Sequence, residues 1–310
     1  MNHVKLLFYP IVVLVLFLAS CSSSGPVREV DHRISLMANS ARVAFQAGEY
    51  DDAARLYGRA LNRAREMDNA LEIGNNAYNL AACLIEMGDY ARTREMLRES
   101  RAAFQREGNV PDGLRILEIK NALAGSALEE AENLLVSIQG GSGDTEISVQ
   151  YALLRADLAL RLDDPDRVRR ELKEISDDLG DLEVPTLRAE AERLKGELLL
   201  LEGETGKAGS AFDRRVALLR EGEQYRAMSV ALGRAGEAYR DSGDYCRSLD
   251  RFFRSARSLF AQEDPAESLL MIEAALEVAW NCEEETLREQ VRKLFNDIKE
   301  AVAVLPKTTD

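Results

Sequence analysis

The chain has 310 residues, 46% of them hydrophobic, and a formal net charge of −14 from 54 acidic and 40 basic side chains. That apolar content is enough for a large core. The acidity argues against a nucleic-acid partner, because neutralising phosphates takes clustered Lys and Arg, and against lying flat on anionic lipid.

The first segment has an early positive charge at Lys5 and an apolar run from Leu6 to Ala19 that contains Pro10. A spanning helix needs about 20 apolar residues, so the run is short for one. It ends in Leu18-Ala19-Ser20-Cys21, with small residues where a processing site requires them. This order resembles the lipobox of bacterial lipoproteins, and the rival reading is an uncleaved membrane anchor. The resemblance implies a signal peptide over 1–20, lipidation at Cys21, and a tether over 21–33. Several acyl chains would anchor the protein, at about 0.8 kcal/mol per buried CH2. Ser22 after the cysteine points to the periplasmic face of the outer membrane if the cell has two membranes. Loss of Lys5 with the leader makes the remainder one charge more negative.

Beyond the tether a phrase returns at Gly48-Glu49-Tyr50, Gly88-Asp89-Tyr90, Gly203-Glu204-Thr205 and Gly243-Asp244-Tyr245. Gly48 and Gly88 are 40 residues apart, as are Gly203 and Gly243. Weaker copies fill the middle, around Ser126-Ala127-Leu128 and Asp163-Asp164-Pro165. A fixed period of this size predicts a solenoid. Small and aromatic residues flank each phrase: Ala77, Tyr78 and Ala81 before Gly88, Ala235, Gly236 and Tyr239 before Gly243, then Phe252 and Ala256 after it. The pattern resembles the tetratricopeptide repeat, in which two antiparallel helices pack through small residues on one and an aromatic on the other. The resemblance implies an all-α fold: a right-handed α-solenoid of about six to seven helix pairs over 34–305, with a C-terminal capping helix and a tail at 306–310. Tyr57 is expected to be a packing residue.

The family's usual period is 34 residues, and here it is 37 to 40. Longer helices or longer connections must absorb the difference. Asp68-Asn69 and Gln262 to Pro265 read as such connections, and Gln139 to Asp144 as another. A seventh pair is expected at Pro265 to Asn281 and Glu283 to Val304. Seven layers at about 9–10 Å predict a curved rod about 60–70 Å long.

No motif for catalysis emerges. Among the two histidines only His32 lies beyond the leader, which removes most metal, triad and His-based acid–base mechanisms. Glu204-Thr205-Gly206-Lys207 fails as a phosphate loop, because Leu201 stands where a glycine is needed and Ala208 follows the lysine. No cofactor, metal site or enzymatic activity is expected. Cys83 reads as a buried small residue. Cys246 and Cys282, one period apart, are either bridged or two separate thiols. Repeats bring such turns together, yet layers 9–10 Å apart exceed the Cα separation of about 7 Å that a bridge tolerates.

In the tetratricopeptide family the first helices of successive pairs line a concave groove. That pattern projects Arg42, Phe45 and Gln46 from the first pair, and Asn75, Tyr78, Asn79, Ile85 and Glu86 from the second. Later pairs add Lys120, Asp157, Arg161, Arg193, Glu197, Arg240 and Asp241. Asn79 alone does not make the Lys and Asn cluster with which some members grip a terminal carboxylate. The resemblances together imply a membrane-anchored scaffold that binds a protein or peptide partner in the cell envelope. The alternative is an envelope protein that captures peptide or glycan.

Overall fold

The computed structural model describes residues 31–138 and 144–304. Cys21, most of the tether, the loop at 139–143 and the tail lie outside the described residues. Within them the chain forms fifteen helices and no strand. The first four are α1 (His32–Ala47), α2 (Tyr50–Glu66), α3 (Ala70–Glu86) and α4 (Tyr90–Arg106). The middle holds α5 (Asp112–Ala124), α6 (Leu128–Val136), α7 (Thr145–Arg161), α8 (Pro165–Glu174) and α9 (Ser176–Asp181). The last six are α10 (Pro185–Leu201), α11 (Thr205–Glu221), α12 (Tyr225–Asp241), α13 (Tyr245–Ala261), α14 (Pro265–Ala279) and α15 (Glu285–Val304). They pack in seven consecutive pairs, α8 and α9 together making the second member of the fourth.

The recurring phrase has a physical reading at each letter. Its glycine takes the left-handed backbone that ends a helix, at φ 75° in Gly88 and 81° in Gly243. The next residue is the N-cap: Asp89 and Asp244 accept from the backbone N–H of Arg92 and Arg247. The tyrosine opens the following helix. Three turns between pairs use the same device without glycine, with Asp68, Glu223 and Glu263 at φ 48°, 56° and 59°, while the turn after α4 has Gly108 at 79°. Helices α2 to α4 and α10 to α13 are each 17 residues long. The long period therefore sits in the helices, and not in long connections: Asp68-Asn69 and Gln262 to Asp264 belong to tight turns. Because a side chain at positive φ costs about 1–2 kcal/mol, Glu263→Gly should raise stability by roughly 0.5–1 kcal/mol, read as a higher urea midpoint. An unchanged or lower midpoint would contradict this account of the turn.

Pairs close through glycine against aromatic. A Cβ on Gly196 would lie 2.6 Å from the Phe212 ring, and one on Gly236 would lie 2.8 Å from Phe252. Gly74 faces Phe104 in the same way, at 2.9 Å. Phe212 and Phe252 are fully buried, and Tyr57 is buried as the repeat pattern expects. The middle of the chain departs from this regularity. Helix α6 has 9 residues, and the second helix of the fourth pair breaks at Ile175 into pieces of 10 and 6.

The array bends toward its first helices, which touch one another through the early and middle pairs, and the bend is tight. A Cβ on Gly48, at the first turn, would sit 3.5 Å from Cδ of Arg226 at the start of α12. The expected curved rod thus coils until its sixth pair returns to its first. Small residues on the first helices permit the close approach on the inner side.

At the other end α15 buries Val291 and Ile298 and leaves Glu289, Arg292 and Lys293 to solvent, as a cap requires. Cys246 and Cys282 reach a Cα separation of 4.9 Å and are joined in the structure. The spacing of helix axes misled the sequence estimate. Antiparallel packing puts the start of α13 and the end of α14 at the same end of the bundle, and side chains facing across two helices lie closer than the axes do. The bridge would close a loop of 36 residues, so Cys282→Ser should lower stability by about 2–4 kcal/mol. Thiol counting on the unfolded, unreduced chain should find two fewer thiols than after reduction; equal counts would remove the bridge.

Candidate functional site: the inner face of the coil

The inner face is built from the first helices, and ion pairs run along it from layer to layer. Asp157 on α7 accepts from Arg193 on α10 at 2.5 Å and from Arg161 at 3.0 Å. Arg193 also donates to Glu190 at 2.7 Å. One layer further, Arg234 on α12 donates to Glu197 at 2.6 Å and stacks over the Phe212 ring at 5.6 Å. Arg226 closes the row by donating to Asp264 at 2.8 Å. Desolvation pushes the carboxyls of Asp157 and Glu190 up, but Arg193 beside both, with Arg161 at Asp157 and Arg215 near Glu190, holds them below the usual range. Burial lowers the Arg215 guanidinium, with Glu190 opposing. Glu190 keeps 39% of its side chain accessible.

The projected groove residues separate into two groups. Arg42, Gln46, Asn75 and Glu86 are exposed, as projected. Phe45, Tyr78, Asn79 and Ile85 are half-buried. Phe45 packs edge-on against Tyr50, ring centroids 5.3 Å apart. Tyr78 and Ile85 pack into the cluster of Leu97, Phe104, Leu114 and Leu117, and the Tyr78 hydroxyl reaches the backbone at Gly113. These apolar members therefore join helices as well as facing the groove.

The sequence pattern missed Tyr50 and Arg226 as members of this face. Tyr50 was placed by its turn phrase, and Arg226 comes near only through the coil, which no local signal announces. Burial raises the Tyr50 hydroxyl pKa, with Glu86 adding to the rise and Arg226 opposing it. Burial likewise raises the Glu86 carboxyl, and Lys120 opposes. Tyr50 and Arg226, half-buried, and Glu86 and Lys120, exposed, thus form a polar cluster where the first turn meets the sixth pair.

Other candidates play plainer parts. Cys83 is fully buried, and desolvation pushes its thiol up to about 12. It should resist alkylation in the native state and react only on unfolding; labelling at the native rate of a surface thiol would overturn this. Glu204 and Lys207 open α11 and pair with each other at 3.0 Å. Trp280 is 81% exposed just beyond α14.

No family profile matches the chain, and no curated protein matches it. Solved structures do. A tetratricopeptide repeat protein from Parabacteroides merdae is 13% identical, covering 86% of this chain and all of that one, with a TM-score of 0.42. The Cut9–Hcn1 hetero-tetramer of the APC/C matches at 15% identity over 89% of this chain and 73% of that one, with a TM-score of 0.37. The TPR2AB domain of yeast Sti1, solved with pHSP90, matches at 15% identity over 86% and 98%, with a TM-score of 0.24. At such identities and TM-scores the fold stands on the chain's own helix pairing: an all-α solenoid of helix pairs with the glycine–aromatic contacts that the tetratricopeptide resemblance implies.

Proposed function

We propose that this protein is a lipid-anchored scaffold of the cell envelope that holds a polypeptide partner on the inner face of its coil. The observation that carries the binding site is the cluster of Tyr50, Glu86, Lys120 and Arg226. Tyr50 and Glu86 are reached by solvent and yet partly desolvated by the surrounding protein, where charge and hydrogen-bond matching to a partner is worth more than on an open surface. The anchor reading rests on Leu18-Ala19-Ser20-Cys21. Among the described residues no helix is long and apolar enough to cross a membrane.

Crosslinking in intact cells, followed by affinity capture, tests the site. Glu86→Lys should reduce recovery of the wild-type partner about tenfold or more, since reversing a desolvated charge costs 1.4 kcal/mol or more, with helix content unchanged. Tyr78→Ala should lower both recovery and thermal stability, because Tyr78 packs as well as faces the groove. Recovery that is unaffected by Glu86→Lys would dismiss the inner face. The anchor has its own test: mass spectrometry of the N-terminal peptide should find a lipid-modified Cys21, and Cys21→Ala should release the protein from membranes.

A further inference from the structure

The break in the fourth pair leaves an opening on the outer side. Where α11 and α13 run 17 residues, α8 stops at Glu174 and α9 turns away after it. Between α8–α9 and α10–α11 lies a cleft of about 670 Å3. Its floor is apolar: Leu172 and Leu179 on one wall, Leu198 beneath, Leu218 on the other. Leu172, Leu179 and Leu218 stay half-exposed beside the break at Ile175.

The rim has the opposite sign to the molecule. Lys173, Arg188 and Lys195 line the cleft, are exposed, and have no ion-pair partner among the described residues. Arg169 and Arg214 line it too, paired with Glu202 and Glu192. Glu192 is the one carboxylate among the lining residues, and the aspartates of α9 are not among them. In a chain of net charge −14, three unneutralised cations around an apolar floor select for an occupant that is apolar on one side and acidic on its flanks.

We infer that this cleft docks an acidic amphipathic helix of a partner protein, which lays its apolar stripe on the leucine floor in place of the missing second-helix turns and sets carboxylates against Lys173, Arg188 and Lys195. Helices dock in grooves by this combination of apolar anchors and flanking charge. The inference takes from the scaffold reading only that the partner is a protein; the site is separate from the inner face.

The test uses the full chain in detergent and a synthetic helix with leucines at three- and four-residue spacing and glutamates elsewhere, labelled for fluorescence anisotropy. A control helix carries lysines in place of the glutamates. The glutamate helix should bind saturably and weaken with salt, and the lysine helix should not. Lys173→Glu, Arg188→Glu and Lys195→Glu together should weaken binding at least about tenfold with circular dichroism unchanged. A photo-crosslinking residue in the helix's leucine stripe should mark α8 to α11 in the wild-type chain, which tests the site should the triple variant misfold. Glu86→Lys should leave this binding unaltered. No saturable binding of the glutamate helix, equal binding of both helices, or crosslinks confined to other helices would overturn the inference. Loss of binding in Glu86→Lys would do so as well, while moving the helix to the inner face and leaving the scaffold reading in place.

Discussion

Phe212→Ala should destabilise the array by about 3–5 kcal/mol, a large part of the stability of an ordinary domain. The ring is fully buried, it lies against the bare backbone of Gly196, and Arg234 stacks on it. Truncation leaves a void whose nearest wall has no side chain to swing in, so the upper part of the range is expected. Gly196→Val alone should also destabilise, by about 1–3 kcal/mol, through overpacking. The two changes together should cost less than their sum, because the valine fills part of the void. Urea denaturation measures all three, and hydrogen exchange should show α10 to α12 opening first. Additive losses, or a loss below about 1 kcal/mol for Phe212→Ala, would mean that the glycine–aromatic contact does not join the pair.

Arg193→Leu should cost about 2–4 kcal/mol at neutral pH. Removing one partner of a largely buried ion pair leaves charge undercompensated, and here Glu190 loses its hydrogen-bonded cation while Asp157 keeps only Arg161. The lower end of the range allows for the part of the network that water reaches. The pH dependence has a definite sign. In the wild type both carboxyls are held below their ordinary values. Their contribution is therefore present above the ordinary carboxylate range and is lost as the pH falls through the depressed folded values. In Arg193→Leu the main cation opposing desolvation is gone and only Arg161 and Arg215 remain, so desolvation should carry the two carboxyls upward. The variant should then gain stability relative to wild type on acidification from neutral toward pH 5, and Asp157→Asn should restore part of the loss. A variant as stable as wild type at pH 7, or one whose deficit is the same at pH 5, would show that the ladder is a solvated surface feature.

The repeat was legible in the sequence because its signals are local. Gly-Asp-Tyr encodes a left-handed residue, an N-cap and a helix start within three positions, and a helix cannot avoid announcing its ends. Small residues before a turn and an aromatic after it, as Gly236 and Phe252 about Gly243, mark the pair contact for the same reason. Of the projected groove residues, Arg42, Gln46, Asn75 and Glu86 are exposed and Phe45, Tyr78 and Ile85 are half-buried, since one helical face can both line a groove and touch the next layer, and helical periodicity does not divide those roles.

What the sequence by itself determined is therefore the helix pairs, their turns, the buried aromatics, the polar outer face of the cap and the scarcity of groups for catalysis. Each follows from residues within one or two helical turns of one another, or from the counts of residue types. The tertiary structure alone decided that the array coils until Arg226 meets the first turn, that Asp157 and Glu190 share Arg193, that Cys246 and Cys282 come within 4.9 Å, and that a basic cleft opens beside α8. These depend on small angular offsets between layers that add along the chain. Residues more than 170 positions apart are brought together by their sum, and no single repeat encodes it.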